Sequence, residues 1–513
     1  MAITKIDSNA TGLSICEELS PKVLPTTPVW FEQEPNSFNA FGGDYKTVAR
    51  SPLTVSRQKK KGVMSDLDAS GGFQSDVVIG GLPRLAQGFF FADAREKACT
   101  QPVNGSVSIP LTAVTSTTFT AASGLDIFKT GDIVKLFGSS VTANNSALGV
   151  VSTAAEGTVT VDASTWEAED EPASTTIAET VGVEFDSGDV TMTVTGSSSV
   201  SAITLGSTVY DFTTLGLTAG EWVFIGGDTT ATKFGTCPSG FGRVATIAAH
   251  AITFSETTFT PASDSGTGKT VRMFFGKFLK NESTTALIKR RTYQLERQLG
   301  SDGVGVQSEY LVGAVANEMN IKIPQAEKLT VDYGFVALDI EYRTGTTGIK
   351  SGTRVAASGL GAMNSTSNIY RMSISTVTAG KLNPGSLIGY VSDINIDIKN
   401  GIKGEKAIGV LGSFETSTGD FEVSSSVTAY FSSTLAASAI RANADVSVNV
   451  IACKDNTGFV FDMPCVALGG GKADVVKDAP VKMALTSSAA ESAYGFTLGA
   501  TFFGYLPAAA MPS

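Results

Sequence analysis

Histidine and basic charge are what this chain has least of. A single histidine, His250, stands among 513 residues. An enzyme built on this sequence would work without the usual proton shuttle of neutral pH. Lys and Arg number 38 against 49 Asp and Glu, a net charge of -11. Such a surface lacks the cations that displace counterions from duplex DNA, which argues against tight duplex binding. The five cysteines (Cys16, Cys99, Cys237, Cys453, Cys465) are widely spaced and form no CxxC pair. That pattern predicts a reduced compartment and no zinc site. No run reaches the ~18 apolar residues needed to cross a bilayer. No basic-then-apolar export segment opens the chain. The expected setting is a cytosol or a particle assembled in one, with no metal or cofactor.

What the sequence does have is short alternating runs bounded by Gly, Asn and Asp, which predict a mainly β protein. The clearest lies in Val391–Ala444. Asp393, Asn395, Asp397 and Lys399 alternate with Ile394, Ile396 and Ile398. Period two puts the first set on a wet face and the second on a dry one. Asn400-Gly401 ends the run. After Gly419, Phe421 and Val423 face one way and Asp420, Glu422 and Ser424 the other. Ser432 or Ser433 is the expected N-cap of a short Ala-rich helix.

Residues 38–95 read as an earlier copy of this unit. A hairpin with a basic tip (Arg57, Lys59, Lys60, Lys61) leads to VMSDLDASGGFQSDVV, read as strand, Gly-Gly bend, strand. LPRLAQGFFFADAR then reads as a helix with Pro83 in its first turn and Leu82, Leu85 and Phe89 on one face. Gly71-Gly72-Phe73 parallels Gly419-Asp420-Phe421. A strand pair follows each copy. Met319, Ile321 and Ile323 alternate with Glu318, Asn320 and Lys322 after the first, and a turn at Asp455–Gly458 lies within the second. The order β, β, α, β, β thus occurs twice.

At these residues the chain resembles the tail tube proteins (major tail proteins) of long-tailed bacteriophages. The stretches DYKTVARSPLTVSRQKKKGVMSDLDASGGFQSD and LPRLAQGFFFADARE resemble the N-terminal half of that family. INIDIKNG, GDFEVSSSVTAYF and GFVFDMPCVALGGG resemble the C-terminal half. The resemblance covers roughly residues 1–100 and 280–513. It implies small β-barrel-like domains whose rings stack into a hollow tube through which DNA leaves the capsid without specific binding. With two tube domains per chain, it implies trimeric, pseudo-sixfold rings, hexamers being less favoured. Tape measure, tail terminator and distal tail or initiator proteins are the implied partners. The implied location is the virion tail, assembled in the host cytoplasm, with no membrane partner.

The expected division is an N-terminal arm (1–37), a first tube domain (38–100 with 271–360), two inserted β domains (101–180 and 181–270) and a second tube domain (361–513). The insertion is rich in Ser, Thr, Gly and Ala and itself repeats. Gly131-Asp132-Ile133-Val134 matches Gly220-Glu221-Trp222-Val223. It is expected on the outside of a tube.

Several motifs tempt an enzymatic reading. Ser265-Gly266-Thr267-Gly268-Lys269-Thr270 resembles the end of a phosphate loop, but a strand, not a helix, is predicted to follow. Gly469-Gly470-Gly471-Lys472 fails because Ala473 replaces the required hydroxyl. His250 reads as a partly buried structural residue in an apolar strand. The cations Arg57, Lys59, Lys60 and Lys61, and a second cluster at Lys289, Arg290 and Arg291, are read as ring-to-ring contacts. The function expected is structural. Asp66, Asp68, Asp393, Asp397, Asp420 and Glu422 are the candidate acids facing the bore, where like charge repels DNA phosphates. The alternatives are an exported or surface adhesin that binds carbohydrate, and a capsid decoration protein.

Overall fold

The computed structural model describes residues 6, 11–53, 55, 58–104, 108–173, 175–196, 202–301, 305–377, 382, 383 and 385–512. Strands dominate, and the described residues contain two α-helices. The chain gathers into two compact units. Unit 1 holds residues 1–91, 288–365 and 393–427, and unit 2 holds 92–287, 366–392 and 428–513.

The elements that matter most, in chain order, begin with β1 (Gly12–Glu17), β2 (Val29–Gln33), β3 (Pro35–Arg50), β4 (Lys60–Asp76) and α1 (Leu82–Phe90). After the insertion come β5 (Tyr293–Ser301), β6 (Val306–Ile323), β7 (Thr330–Ala337), β8 (Val391–Lys399) and β9 (Glu422–Tyr430). The series ends with α2 (Leu435–Arg441), β10 (Val446–Lys454), β11 (Thr457–Asp474) and β12 (Lys482–Ala489). The order β, β, α, β, β, β therefore runs twice, from β3 to β7 and from β8 to β12. β6 and β11 are both 18 residues long. Each pairs first with the strand before it and then with the strand after it. The turn into β11 is Asp455-Asn456, both at positive φ (49° and 58°).

In unit 1, β3, β4, β7, β6 and β8 are successive antiparallel neighbours. Their dry face is covered by α1, which begins with Pro83 in its first turn and buries Leu82, Leu85, Phe89 and Phe90. Phe89 stacks near Tyr333 and Phe335, with centroids at 5.5 and 5.4 Å, and Phe73 lies 5.0 Å from Tyr333. Each such ring contributes about 1.5–3 kcal/mol by leaving water. The Gly71-Gly72 bend expected in β4 does not occur, since β4 is one continuous strand. These glycines serve close approach instead. A Cβ on Gly72 would lie 2.3 Å from the Tyr333 carbonyl oxygen of β7.

Within the segment expected as an arm, β1 and β2 pair with each other, β1 also pairs with β5, and Trp30 is fully buried. The paired Phe73 and Phe421 prove not to be equivalent. Phe73 is buried in the middle of β4, whereas Phe421 precedes β9 and packs on Phe90 at 5.9 Å. The repeated element order stands without that match. The N-cap of α2 is Thr434, one residue beyond the expected serines, and it makes no side-chain cap.

The insertion, within unit 2, forms a pair of β modules with the same connectivity. The first uses Leu111–Val114, Thr118–Ala121, Asp132–Phe137, Leu148–Ala155, Thr158–Val161 and Ile177–Glu184. The second uses Val190–Thr195, Ala202–Ser207, Trp222–Ile225, Gly240–Ala248, Ala251–Thr257 and Arg272–Phe274. In each, strand one pairs with two, two with five, five with four, four with three, and three with six. The two sixth strands pair with each other. One apolar core runs from Leu111 to Ala178 and a second from Val183 to Phe275. The matched glycines, Gly131 and Gly220, share a left-handed φ of 88° and 89°. The acid after each accepts the amide three residues back, Asp132 from Lys129 and Glu221 from Thr218, both at 3.0 Å.

Candidate functional site

The wet face of the unit 1 sheet is the candidate site. Alternation along β4 sends Leu67, Ala69, Gly71 and Phe73 inward, and Asp66, Asp68, Ser70, Gln74 and Asp76 outward. On β7, β6 and β8 the same alternation presents Asp332, then Glu318, Asn320 and Lys322, then Asp393, Asn395 and Asp397. Register lines these groups up across strands. Gln74, Asp332, Asn320 and Asp397 stand directly opposite one another in a single row.

The row is internally hydrogen bonded. Gln74 Nε2 donates to Asp332 Oδ1 at 2.9 Å, and Asn320 Nδ2 donates to Asp397 Oδ1. Lys322 Nζ meets Asp332 at 2.5 Å, and Lys328 meets Asp76 at 2.7 Å. Asn395 Nδ2 donates to Ser426 Oγ at 3.3 Å, continuing the row onto β9. The wet face is thus a lattice of carboxylates, amides and lysines, with an open hollow of about 310 Å³ beside Ser70, Glu318, Asn320 and Asp332.

The six expected acids divide into three groups. Asp66 and Asp68 share Lys406, at 3.0 and 2.8 Å, and Lys46. The Lys406 hydrogen bond holds both carboxyls below the usual carboxylate range. Asp393 and Asp397 lie on the wet face of β8. Asp420 is exposed just before β9, and Glu422 is the exposed first residue of that strand. Sequence reading missed Lys46, Lys406, Lys328 and Asp332 as members of this lattice. Only Asp332 sits in an alternating run (TVDYGF) that signalled it.

The basic clusters also separate. Lys59, Lys60 and Lys61 are exposed at the hairpin tip, while Arg57 lies outside the described residues. Arg290 and Arg291 differ in exposure, Arg290 being exposed and Arg291 buried. Arg291 is buried and meets Glu17 at 3.3 Å, and Arg290 donates to the Thr416 carbonyl at 2.7 Å. Among the tempting motifs, Gly266 and Gly268 occupy left-handed turn positions, and the strand Arg272–Phe274 follows. His250 is exposed in the turn between Gly240–Ala248 and Ala251–Thr257, not in a strand.

Residues 252–484 match the family described as phage tail tube protein. That stretch contains β5 to β11 and α2, most of the wet-face lattice among them. Over that stretch the chain is similar to phage tail tube proteins. A search of curated proteins finds no match. The tail tube family is a structural one and not enzymatic. The wet sheet face of this chain is accordingly read as a surface, not a catalytic centre.

Proposed function

We propose that the chain serves as a tail tube protein, polymerising into stacked rings whose wet sheet faces line a bore through which the genome leaves the particle. One observation carries this reading: a five-stranded sheet, dry and helix-capped on one face, holds a hydrogen-bonded lattice of acids, amides and lysines on the other. Strand edges left open on such a sheet are aggregation hazards that closure into a ring removes. Most wet-face cations are already matched to carboxylates, leaving phosphates little to bind, and the remaining acids repel them. With the β, β, α, β, β, β order present twice, three chains supply six modules per ring.

Ring-to-ring contact is assigned to the hairpin tip and its surroundings. Lys59, Lys60 and Lys61 stand there with exposed Tyr45, Val48, Val63 and Met64. Such apolar exposure marks an interaction surface. Inserted modules facing outward, and tape measure, terminator and distal tail partners at the tube ends, complete the reading. Assembly in the host cytoplasm belongs to the same reading.

The test replaces Asp393, Asp397 and Glu422 by Lys together. Tubes should still form by electron microscopy, but DNA release should slow and become salt-dependent. Normal, salt-independent release from assembled variant tubes would refute the role assigned to this face.

A further inference from the structure

The joint that closes the ring has a counterpart already formed inside the chain. The second half of β6 is flanked on one side by β7. On its other side Glu318–Ile323 pair antiparallel with Ile394–Lys399 of β8, the first strand of the second β, β, α, β, β, β set. The equivalent stretch of β11 follows from the hairpins. β6 and β7 close on Lys322 opposite Thr330, and β11 and β12 on Asp474 opposite Lys482. Both loops hold the same number of residues, so Lys322 corresponds to Asp474 and Ile321 to Ala473. Each strand carries a bulge just upstream, at Ala316/Glu318 and at Gly470/Lys472.

The environments of these stretches differ in one respect. β11 has β12 on one edge of its second half, and among the described residues no strand pairs with the other edge. Ile321 is 1% exposed, whereas Ala473 is exposed. The start of the first set is open in the complementary way. β3, which corresponds to β8 as the first strand, pairs only with β4 among the described residues, and Asn36, Ser37, Asn39 and every residue from Asp44 to Arg50 are exposed. One half-joint thus lies at each end of the repeated series.

We propose that Leu468–Asp474 of one copy accepts Ser37–Asp44 of the next as an antiparallel strand, reproducing between chains the β6–β8 joint within each. This rests on the ring reading and supplies its partner segments. The contact is heterologous, because donor and acceptor are different surfaces, and it generates a ring wherever the rotation closes. Backbone pairing gives the affinity, and the alternation of wet and dry side chains fixes the register. The Gly469-Gly470-Gly471 run, useless as a phosphate loop, then has a place. Glycines in a strand mark bulges and sites where another backbone comes close.

Directly opposed residues in antiparallel strands have Cα atoms about 4.5–5.5 Å apart, within disulfide reach. The experiment introduces Asp474→Cys together with Ser37→Cys, Asp474→Cys together with Asn39→Cys, or Leu468→Cys together with Asp44→Cys, in a Cys465→Ser background, since the other four cysteines are buried. Oxidation of assembled protein should give, for one of the three pairs, a head-to-tail ladder that ends in a closed covalent ring. Single-cysteine controls should stay monomeric on denaturing gels. Hydrogen exchange of the unmodified protein is the companion measurement, and amides of Leu468–Asp474 should slow on assembly. Rings visible by microscopy with no cross-link and unchanged exchange would overturn this inference while sparing the ring reading. Absence of rings in the unmodified protein would overturn the ring reading itself.

Discussion

Removing the Asp462 carboxylate should unfold unit 2 at markedly lower denaturant. Asp462 sits on β11 and is 1% exposed. Its oxygens accept from Arg243 Nη1 at 3.2 Å and from Trp222 Nε1 at 2.9 Å. Arg243 also donates to Ser447 at 3.0 Å and meets Glu256 at 3.4 Å. Glu256 is not a spare partner, because it already holds Arg371 at 2.8 Å and Asn449 at 3.0 Å. Burial pushes the Asp462 carboxyl up, against the pull of the Arg243 charge. Asp462→Ala therefore leaves a buried guanidinium with a shared counterion and an indole N–H with none. Breaking one side of such a pair costs about 3–5 kcal/mol, a large part of a ~5–15 kcal/mol total. Asp462→Asn keeps an acceptor for Trp222 and should cost less than the alanine change. The assay is urea unfolding followed by tryptophan fluorescence, with Trp222→Phe closing a double-mutant cycle. A loss below about 1 kcal/mol for Asp462→Ala, or no coupling with Trp222, would refute the argument that this cluster ties the second inserted module to β10 and β11.

Two further outcomes follow from single positions. Burial pushes Asp132 up to about 6 from 3.8, so the folded state binds its proton more readily than the unfolded chain. The resulting penalty, up to ~3 kcal/mol at ~1.36 kcal/mol per pKa unit, is complete above the folded value. It fades as pH falls towards the unfolded one. Asp132→Asn should therefore stabilise the protein at pH 7 and give no gain near pH 4, and a pH-independent gain in urea titrations would contradict this. Gly72→Ala places a methyl against the Tyr333 carbonyl and should cost about 1–3 kcal/mol by forcing β4 away from β7. An unchanged thermal midpoint would show that the two strands can part without loss.

The acid, amide and lysine residues on the wet face were legible as types and as alternation. Asp393, Asn395 and Asp397 could be assigned to one side of a strand before any fold was known, because period two is a local property of an extended chain. Their partners were not legible. Lys406 lies in an irregular loop, and its ion pairs with Asp66 and Asp68 depend on packing across more than three hundred residues of sequence. Arg291 looked like part of a surface patch with Arg290, yet it is buried, because charge in sequence does not reveal burial.

The glycines show the same division. Gly131 and Gly220 were matched from their local sequence and share a left-handed φ, since a positive φ is a local need. Gly71 and Gly72 were read as a bend and proved to be places where strands crowd together, which only neighbours from elsewhere in the chain impose. Composition and periodicity by themselves determined the β class, the doubled order of elements and the wet and dry sides of each strand. Tertiary structure alone decided which strands became neighbours, which charges found partners and which edges stayed open. Each of those depends on side chains and backbones brought together from distant segments, and no local pattern encodes it.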